Sequence, residues 1–325
     1  MTTNRKRALI ANAITAAGWA MLEKRPDIET VRYDSAMPDE AYRALLPGVQ
    51  GIALYSKQFG PAELAVADEM QVIARVGVGY DLVDVPGCTA KGVLLMTTGI
   101  ANSVSVAEHA LSLMFDLARR SAGFDAMLHH GGWEQRLAVP PIDLYEHTLL
   151  VVGFGRIGTR IAARCRALEM TVLVCDPYVN AALIRGASCE PVTLAAGLPR
   201  ADFVTVHCPR NAETTGMIGA AQLARMKRGA FIVNTARGGI VDEAALHAAL
   251  VSGHLGGAGL DVFVQEPVPT DHPLLALPNV IGAPHMAGNT VQALDRMSCA
   301  AIGNILSVFD GAPIRENVIN KEALG

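Results

Sequence analysis

The sequence predicts an α/β protein built on parallel sheets, and three observations carry that prediction. The chain has 325 residues, well beyond the ~150 of one typical domain, so we expect two domains. Short segments rich in Val, Ile and Leu alternate with amphipathic, alanine-rich segments, which is the pattern of β-α units that feed a parallel sheet. A glycine-rich turn at residues 153–158 follows one apolar segment and opens a helical one, as in folds that bind ligands at the carboxyl ends of their strands.

Composition and charge narrow the class of protein further. Hydrophobic residues make up 51% of the chain and charged residues 18%, which excludes a disordered chain and predicts a compact one. The 27 Lys and Arg against 31 Asp and Glu give a net charge of −4, with no block of like charge. We therefore expect no nucleic acid and no membrane among the partners, and no segment reaches the ~18 apolar residues of a membrane span.

The six cysteines are scattered, and none is paired at the spacing of a zinc or redox motif. We predict that the protein has no metal site and that its location is cytoplasmic, where such cysteines stay reduced. The first 22 residues have a basic head and a mildly apolar run, as in a signal peptide. Asn12, Thr15 and Trp19 interrupt that run, and a first strand leading into a helix explains it equally well.

Apolar runs with the length and composition of strands recur along the chain. The predicted strands are residues 51–55, 72–76, 93–96, 149–153, 171–175, 203–207, 231–234, 257–261 and 280–283.

The longest helical pattern covers residues 103–120, where Val106, Ala110, Leu113, Met114 and Leu117 follow one face at three- and four-residue steps. The next segment, 121–148, has little periodicity, and we predict an irregular arm. A structureless loop of that length is uncommon inside a compact domain. We therefore expect it to dock on something, with a second subunit as the candidate.

The strongest local motif is GFGRIG, from Gly153 to Gly158. A strand, these glycines and a helix in that order form the dinucleotide fingerprint. Gly153 permits the tight turn, Gly155 lets the backbone approach the pyrophosphate, and Gly158 lets helix and strand pack closely. We include Arg156 and Ile157 in the same cofactor-binding turn.

Asp176 stands eighteen residues after Gly158, at the end of the next predicted strand. A carboxylate there accepts hydrogen bonds from the adenosine ribose and repels a 2′-phosphate, so NAD is favoured over NADP. The alternative is a glycine-rich turn in an unrelated α/β sheet, with Asp176 capping a helix.

Three polar residues follow later strands: Arg237, Glu266 and His285. Ligand sites of open α/β sheets gather at the carboxyl ends of strands. An Arg can grip a carboxylate with two donors, a His can carry the hydroxyl proton, and a Glu paired with that His can orient it. Together they suit redox chemistry at a 2-hydroxy acid. Taken singly, each has an ordinary structural interpretation, and unrelated chemistry stays open if they do not converge.

These motifs together resemble the D-isomer-specific 2-hydroxyacid dehydrogenases, including the phosphoglycerate and glyoxylate-hydroxypyruvate reductase-like enzymes, from about residue 74 to residue 320. In order, the matching segments are RVGVGYDLVD (75–84), ANSVSVAEHALSLM (101–114), GFGRIG (153–158), VHCPRNAETTGMIG (206–219), NTARGGIVDEAAL (234–246), GAGLDVFVQEP (257–267) and APHMAGNT (283–290).

The resemblance implies two Rossmann-like doubly wound domains, with the NAD-binding domain inserted into the substrate domain. On this sequence it implies a substrate domain at 1–100 and 288–325 and an NAD-binding domain at 101–287. A helix at residues 291–309 would return to complete the first domain. The family's dimer interface uses the long helix and the arm after it, which implies a homodimer.

The resemblance also implies roles for individual residues. Arg237 would bind the carboxylate and the keto oxygen, His285 would be the acid/base, and Glu266 its partner. Asp261 would hold the nicotinamide side of the cofactor, and backbone amides around Val78 and Gly79 would cradle the substrate carboxylate. Further residues expected in the cofactor site are His207, Pro209, Thr235, Ala236 and Gly288.

Two departures from the family bear on the substrate. Tyr55 stands where phosphoglycerate enzymes are expected to carry an Arg, so a phosphate clamp from this loop would depend on Lys57. The chain also ends at Gly325, short of the regulatory domains of the longer phosphoglycerate enzymes. Tyr55 and Lys57 are our candidates for contacts to the substrate side chain.

The function expected from the sequence is NAD-dependent hydride transfer between nicotinamide and a small D-2-hydroxy acid or its 2-keto acid. Glyoxylate, hydroxypyruvate, 3-phosphoglycerate and other short acids all stay open as substrates. The alternative is an NAD(H)-sensing, corepressor-like binding protein of the same fold.

Overall fold

The computed structural model describes residues 5–324, and the chain divides into two compact units. One unit holds the described residues up to Asn102 together with those from Gly288 onward, and the other is Ser103–Ala287. Residues 1–4 and 325, which the sequence analysis assigns to the first domain, lie outside the described residues. The second unit is thus inserted, in chain order, into the first.

The first unit is built on a five-stranded parallel sheet with the strand order β2-β1-β3-β4-β5. Its strands are β1 (Lys6–Ala11), β2 (Ile28–Tyr33), β3 (Gly51–Leu54), β4 (Val72–Arg75) and β5 (Leu94–Met96). Its helices are α1 (Ala16–Leu22), α2 (Asp39–Arg43), α3 (Pro61–Val66), α4 (Val85–Ala90) and α12 (Val291–Phe309), with 3₁₀ turns at Arg315–Asn317 and Lys321–Leu324. Two apolar clusters cover the sheet, one with Ile302 and Ile305 of α12 and one with Tyr42 and Leu64.

The second unit is built on a seven-stranded parallel sheet with the order β12-β11-β10-β9-β6-β7-β8. Its strands are β6 (Thr148–Val152), β7 (Thr171–Cys175), β8 (Glu190–Pro191), β9 (Phe203–Val206), β10 (Phe231–Asn234), β11 (Gly257–Leu260) and β12 (Val280–Gly282). Its helices are α5 (Ser103–Arg119), α6 (Ser121–His129), α7 (Gly158–Ala167), α8 (Ala181–Gly186), α9 (Leu194–Gly197), α10 (Ala220–Leu223) and α11 (Glu243–Val251), with 3₁₀ turns at Trp133–Gln135, Leu198–Arg200 and Pro273–Ala276.

The chain order of this second sheet reverses between β6 and β9. From β6 the chain runs outward through β7 and β8, then returns to β9 on the other side of β6. The loops that follow β6 and β9 therefore diverge at the carboxyl ends of the strands, which leaves a crevice of the kind that binds nucleotides in such folds.

The predicted α/β fold with parallel sheets is confirmed. All nine predicted strands are present, with ends within one residue of the predicted ones. The expected first strand and helix at the N-terminus are β1 and α1. The sequence analysis missed β2 and β8. In β2 only the two end residues are buried, and β8 has two residues, so neither leaves a long apolar run.

The two long helices lie where the sequence predicts them. Helix α5 ends one residue before its predicted end, and α12 has the predicted bounds. In α5 the predicted apolar face of Val106, Ala110, Leu113, Met114 and Leu117 is buried.

The prediction that residues 121–148 are irregular is wrong for the first third of that segment. Helix α6 occupies Ser121–His129, and a 3₁₀ turn follows at Trp133–Gln135. None of the α6 residues is buried, so no apolar stripe with helical spacing marks this helix in the sequence.

Within residues 5–324, no helix combines the length and the apolar character needed to cross a membrane. The same residues contain no group of three or more His, Cys, Asp or Glu side chains that could hold a metal ion.

Candidate active site

The glycine-rich turn connects β6 to α7 at the point where the strand order reverses. Gly153 has φ of 95°, which favours glycine, and a Cβ there would lie 2.7 Å from the backbone nitrogen of Cys208. A Cβ on Gly158 would lie 1.9 Å from the carbonyl oxygen of Gly153. Gly155 is exposed, and a Cβ there would meet nothing within 4 Å. Two glycines are thus required by close packing, and the third presents open backbone.

Asp176 directly follows β7 and its carboxylate binds two backbone amides. One oxygen accepts a hydrogen bond from the Phe154 amide at 2.7 Å, and the other accepts one from the Tyr178 amide at 2.9 Å. The carboxylate therefore joins the glycine-rich turn to the end of β7. Each oxygen keeps a second acceptor position, which leaves room for hydrogen bonds from a ribose. The contact with the ribose itself stays a prediction.

His207 follows β9, next to the glycine-rich turn. Its Nε2 lies 2.9 Å from Thr205 Oγ1, while its Nδ1 is buried without a hydrogen-bond partner among the described residues. Burial lowers the pKa of His207 to about 3, so the ring is neutral at pH 7. Pro209, two residues on, is exposed.

The turn after β10 carries three predicted site residues, and Asn234 shapes it. The Asn234 side chain accepts a hydrogen bond from the Ala236 amide at 3.0 Å and donates one to the Arg237 carbonyl at 2.9 Å. The Arg237 guanidinium donates to the Ala236 carbonyl at 2.7 Å. Thr235 is buried, and its Oγ1 has no partner in the part of the chain that the structure describes.

Glu266 and His285 form a direct pair. Glu266 Oε1 accepts a hydrogen bond from the Phe263 amide at 3.0 Å, and Oε2 lies 2.7 Å from His285 Nδ1. An ionised carboxylate only accepts, so Nδ1 carries the hydrogen and Nε2 is the basic nitrogen of the ring. Both side chains are partly exposed, at 36% for Glu266 and 47% for His285. The pairing inferred from the sequence is therefore present in the structure.

Asp261 organises the backbone around His285. Its carbonyl accepts a hydrogen bond from the His285 amide at 2.8 Å, and its carboxylate accepts from the Met286 and Ala287 amides at 2.7 and 2.9 Å. His285 itself has φ of 55°, which is uncommon for a residue other than glycine. Three hydrogen bonds to one buried residue hold this conformation.

The Arg237 turn lies against the turn that carries Glu266. A Cβ on Gly238 would lie 2.0 Å from the carbonyl carbon and oxygen of Phe263. Since β10 and β11 are paired, the turns that follow them are neighbours. The structure thus brings the turns of Arg237, Glu266 and His285 to the same edge of one sheet.

The predicted substrate residues belong to the first unit. Val78 and Gly79 follow β4 and are half-buried, and their amides donate to no other described residue. Tyr55 follows β3 and packs against both apolar clusters of the first sheet. Gly288, predicted for the cofactor site, also lies in this unit, where a Cβ would meet Asn102 Nδ2 at 2.8 Å.

Lys57 is engaged in a way that the sequence analysis did not foresee. Its Nζ donates to the Met37 carbonyl at 2.6 Å and pairs with Asp39 at 2.5 Å, and the residue is 8% exposed. Its predicted contact with a substrate phosphate stays a prediction, but the ammonium already has a charged partner.

Two site residues escaped the sequence analysis. Asn234 ends a predicted strand, and an Asn directly before the Arg237 turn is the signal in the sequence for a turn-shaping group. His109 was overlooked beside the apolar face of α5, where it lies four residues before the buried Leu113. That spacing places both on one side of the helix.

Residues 111–287 match the family model described as D-isomer specific 2-hydroxyacid dehydrogenase, NAD binding domain. The chain is 35% identical over 327 aligned residues to a glyoxylate reductase of Korarchaeum cryptofilum, covering 98% of this chain and 97% of that one. It is 37% identical over 291 residues to a D-3-phosphoglycerate dehydrogenase of Archaeoglobus fulgidus, covering 89% of this chain and 55% of that protein. The chain thus spans about half the length of the phosphoglycerate dehydrogenases it matches.

A solved structure of a D-2-hydroxyacid dehydrogenase has the same fold as this chain. A D-lactate dehydrogenase of Aquifex aeolicus, complexed with NAD and lactic acid, superposes with a TM-score of 0.84 at 26% identity and covers 98% of this chain and 99% of that one.

The fold and the site define a dinucleotide-binding α/β protein with a paired His and Glu at the carboxyl ends of its strands. The chain belongs to the D-isomer specific 2-hydroxyacid dehydrogenase family.

Proposed function

We propose that this chain is an NAD-dependent oxidoreductase that interconverts a small D-2-hydroxy acid and its 2-keto acid. The observation that carries the proposal is the pair of Glu266 and His285, 2.7 Å apart. The pair lies in turns that follow strands of one sheet, and in the same sheet β6 is followed by the dinucleotide fingerprint. Family membership supports the same reaction.

The roles of the three polar residues follow from their geometry. Glu266 fixes the ring of His285 through Nδ1, so Nε2 takes the hydroxyl proton in oxidation and returns it to the carbonyl oxygen in reduction. Arg237 offers a planar pair of donors to the substrate carboxylate and keto oxygen. Asp261 keeps His285 in place through three backbone hydrogen bonds.

The second unit has features that fit a dinucleotide. The exposed backbone at Gly155 and the N-terminus of α7 suit a pyrophosphate, and Asp176 stands where a ribose is expected. His207 Nδ1 and Thr235 Oγ1 are buried polar atoms without partners among residues 5–324, which a bound cofactor could satisfy. When bound, NAD supplies or accepts the hydride. The remaining proposed contacts are Arg156, Ile157, Pro209, Ala236, Asp261 and Gly288, with Gly153 and Gly158 shaping the turn.

Among the candidate substrates, an acid without a phosphate is favoured. Tyr55 has no charge, and Lys57 is paired with Asp39, so the loop after β3 presents no uncommitted ammonium for a phosphate. Glyoxylate and hydroxypyruvate therefore rank above 3-phosphoglycerate. The proposed carboxylate contacts are Arg237 and the amides of Val78 and Gly79.

A panel of keto acids, assayed with NADH and NADPH and in the oxidative direction with the matching hydroxy acids, tests the proposal. We expect turnover of glyoxylate or hydroxypyruvate with NADH, and a lower kcat/KM for the phosphorylated keto acid. Tight NADH binding without turnover of any acid would instead support the alternative, an NAD(H)-sensing corepressor-like protein.

We also infer a homodimer that forms through the arm after α5. Its described residues expose Leu128 and Trp133 at 59% each, Leu137 at 76% and Val139 at 55%. Exposed apolar side chains this close in sequence are typical of an interaction surface, and no residue of α6 is buried. The same segment of a second subunit is equally apolar, and we propose that it covers these side chains.

Replacing both Trp133 and Leu137 by Glu is expected to convert the dimer into monomers, because two charges on each subunit would be buried in the interface. Light scattering after size-exclusion chromatography measures the mass. Leu183→Glu is the matched control, since Leu183 is 67% exposed on α8 outside the arm. A dimeric double variant would exclude this arm as the interface.

Asp176→Ala is expected to raise the KM for NADH about tenfold to a hundredfold, because it removes charged hydrogen bonds worth roughly 1.5–3 kcal/mol. NADPH use should improve or hold steady, since the repulsion of its 2′-phosphate is lost as well. Steady-state kinetics with both cofactors measure the two effects.

Asp176→Asn separates the two roles of this side chain. Its amide oxygen can still accept from the Phe154 amide, whereas the charge is lost, so NADPH use should improve with less damage to the turn. If NADH and NADPH lose affinity in parallel in both variants, Asp176 only holds the glycine-rich turn.

The six cysteines are all free in the structure. Their state supports a reducing compartment, and we propose that the protein is cytoplasmic.

A further inference from the structure

Helix α5 packs so closely on β11 that its residues can be matched to those of the strand. A Cβ on Gly257 would lie 2.9 Å from Leu117 Cδ2, and a Cβ on Gly259 would lie 3.0 Å from Leu113 Cβ. Four helical residues rise about 6 Å, and two residues of a parallel strand rise about 6.6 Å. Moving four residues toward the N-terminus of α5 therefore corresponds to moving two residues toward the C-terminus of β11.

The next step of this register brings His109 to Asp261. Position 109 is four residues before Leu113, and position 261 is two residues after Gly259, on the same face of the strand. In agreement, His109 Nε2 lies 3.6 Å from Asp261 Oδ1. Glycine at 257 and 259 removes the side chains that would hold the helix further away.

The other contacts of the two side chains leave room for a hydrogen bond between them. The Asp261 side chain is 1% exposed, and its oxygens accept one amide each, from Met286 and Ala287. A buried carboxylate with two donors keeps unused acceptor capacity. His109 Nε2 is itself buried without a hydrogen-bond partner among the described residues. The 3.6 Å contact is slightly longer than a hydrogen bond.

We propose that His109 is a positioning residue for the proton-transfer step, acting through Asp261. Its Nε2 supplies the donor that the Asp261 carboxylate lacks on the side of α5. Asp261 then holds the amides of Met286 and Ala287, and with them the left-handed backbone of His285 and the direction of its ring. The proposal deepens the proposed function and rests on it.

The test compares His109→Phe and His109→Gln with the wild-type protein. Phe keeps a ring but removes the donor, whereas the amide nitrogen of Gln can reach the position of Nε2. His147→Phe is the matched control, because His147 is a half-buried histidine directly before β6, at the amino ends of the strands. The measurements are kcat and the KM for NADH, together with hydrogen exchange at the amides of Met286 and Ala287.

We expect His109→Phe to lower kcat about tenfold to a hundredfold, as a displaced acid/base does, with a smaller change in the KM for NADH. Exchange at the two amides should become faster, and His109→Gln should recover most of both losses. Wild-type kcat and exchange in His109→Phe would overturn the proposal. So would equal losses in the Phe and Gln variants, because a role in packing alone predicts them.

The exchange measurement keeps this inference separate from the proposed function. If the wild-type protein turns over no keto acid, the proposed function fails. Faster exchange at Met286 and Ala287 in His109→Phe, with recovery in His109→Gln, would still support the link from His109 to the His285 turn.

Discussion

Substitution of His285 by Ala or Gln is expected to lower kcat by about 10²–10⁴, the usual contribution of a positioned acid or base. Nε2 of His285 is the proposed proton carrier, because Nδ1 is committed to Glu266 at 2.7 Å. NADH affinity should change little, since the contacts proposed for the pyrophosphate and the ribose, at Gly155 and Asp176, lie in other turns. Stopped-flow or steady-state reduction of a keto acid gives kcat, and fluorescence titration gives the Kd for NADH.

His254→Gln is the control for this experiment. His254 lies at the amino ends of the strands, where Nε2 contacts the Leu223 carbonyl at 3.1 Å, so its replacement should leave kcat near that of the wild type. An equal loss of NADH affinity in the His285 variants would mean that His285 supports the fold of the cofactor site, and the proton-transfer role would be withdrawn.

The parts of the fold that the sequence predicts are those with a local signal. Strands β3, β4, β6 and β9 are almost wholly buried apolar runs, and the buried side of α5 repeats at helical spacing. In contrast, β2 is an edge strand that buries only its two end residues, and α6 buries none of its residues. Elements without a buried face leave little pattern in the sequence.

In the candidate site, too, the features with a local signal are predicted from the sequence and those between distant elements are not. The glycine-rich turn is a contiguous motif, and the pairing of Glu266 with His285 follows from two strands whose carboxyl ends meet. The ion pair of Lys57 with Asp39 joins separate elements, and nothing local in the sequence indicates it. The contact of His109 with Asp261 depends on the packing distance between a helix and a strand, which two glycines determine.

Arg237→Lys should be nearly as damaging as Arg237→Ala, although it keeps the charge. Two charge-assisted hydrogen bonds to a carboxylate are worth about 1.5–3 kcal/mol each, so their loss lowers kcat/KM by about 10²–10⁴. An ammonium cannot reproduce the planar pair of donors. In the structure, one guanidinium nitrogen of Arg237 donates to the Ala236 carbonyl at 2.7 Å. Lysine has a single nitrogen, so it cannot keep this hydrogen bond and also present a planar pair of donors to the substrate.

The measurement is kcat/KM for glyoxylate and hydroxypyruvate at saturating NADH, with Arg225→Lys as the matched control. Arg225 is an exposed arginine of the same unit that donates to the Ala195 carbonyl at 2.7 Å, so its replacement by Lys should leave kcat/KM unchanged. If Arg237→Lys keeps a near-normal kcat/KM while Arg237→Ala loses it, positive charge alone binds the substrate. In that case the paired-donor role of Arg237 is wrong, and the carboxylate is oriented by other groups, with the amides of Val78 and Gly79 as the first candidates.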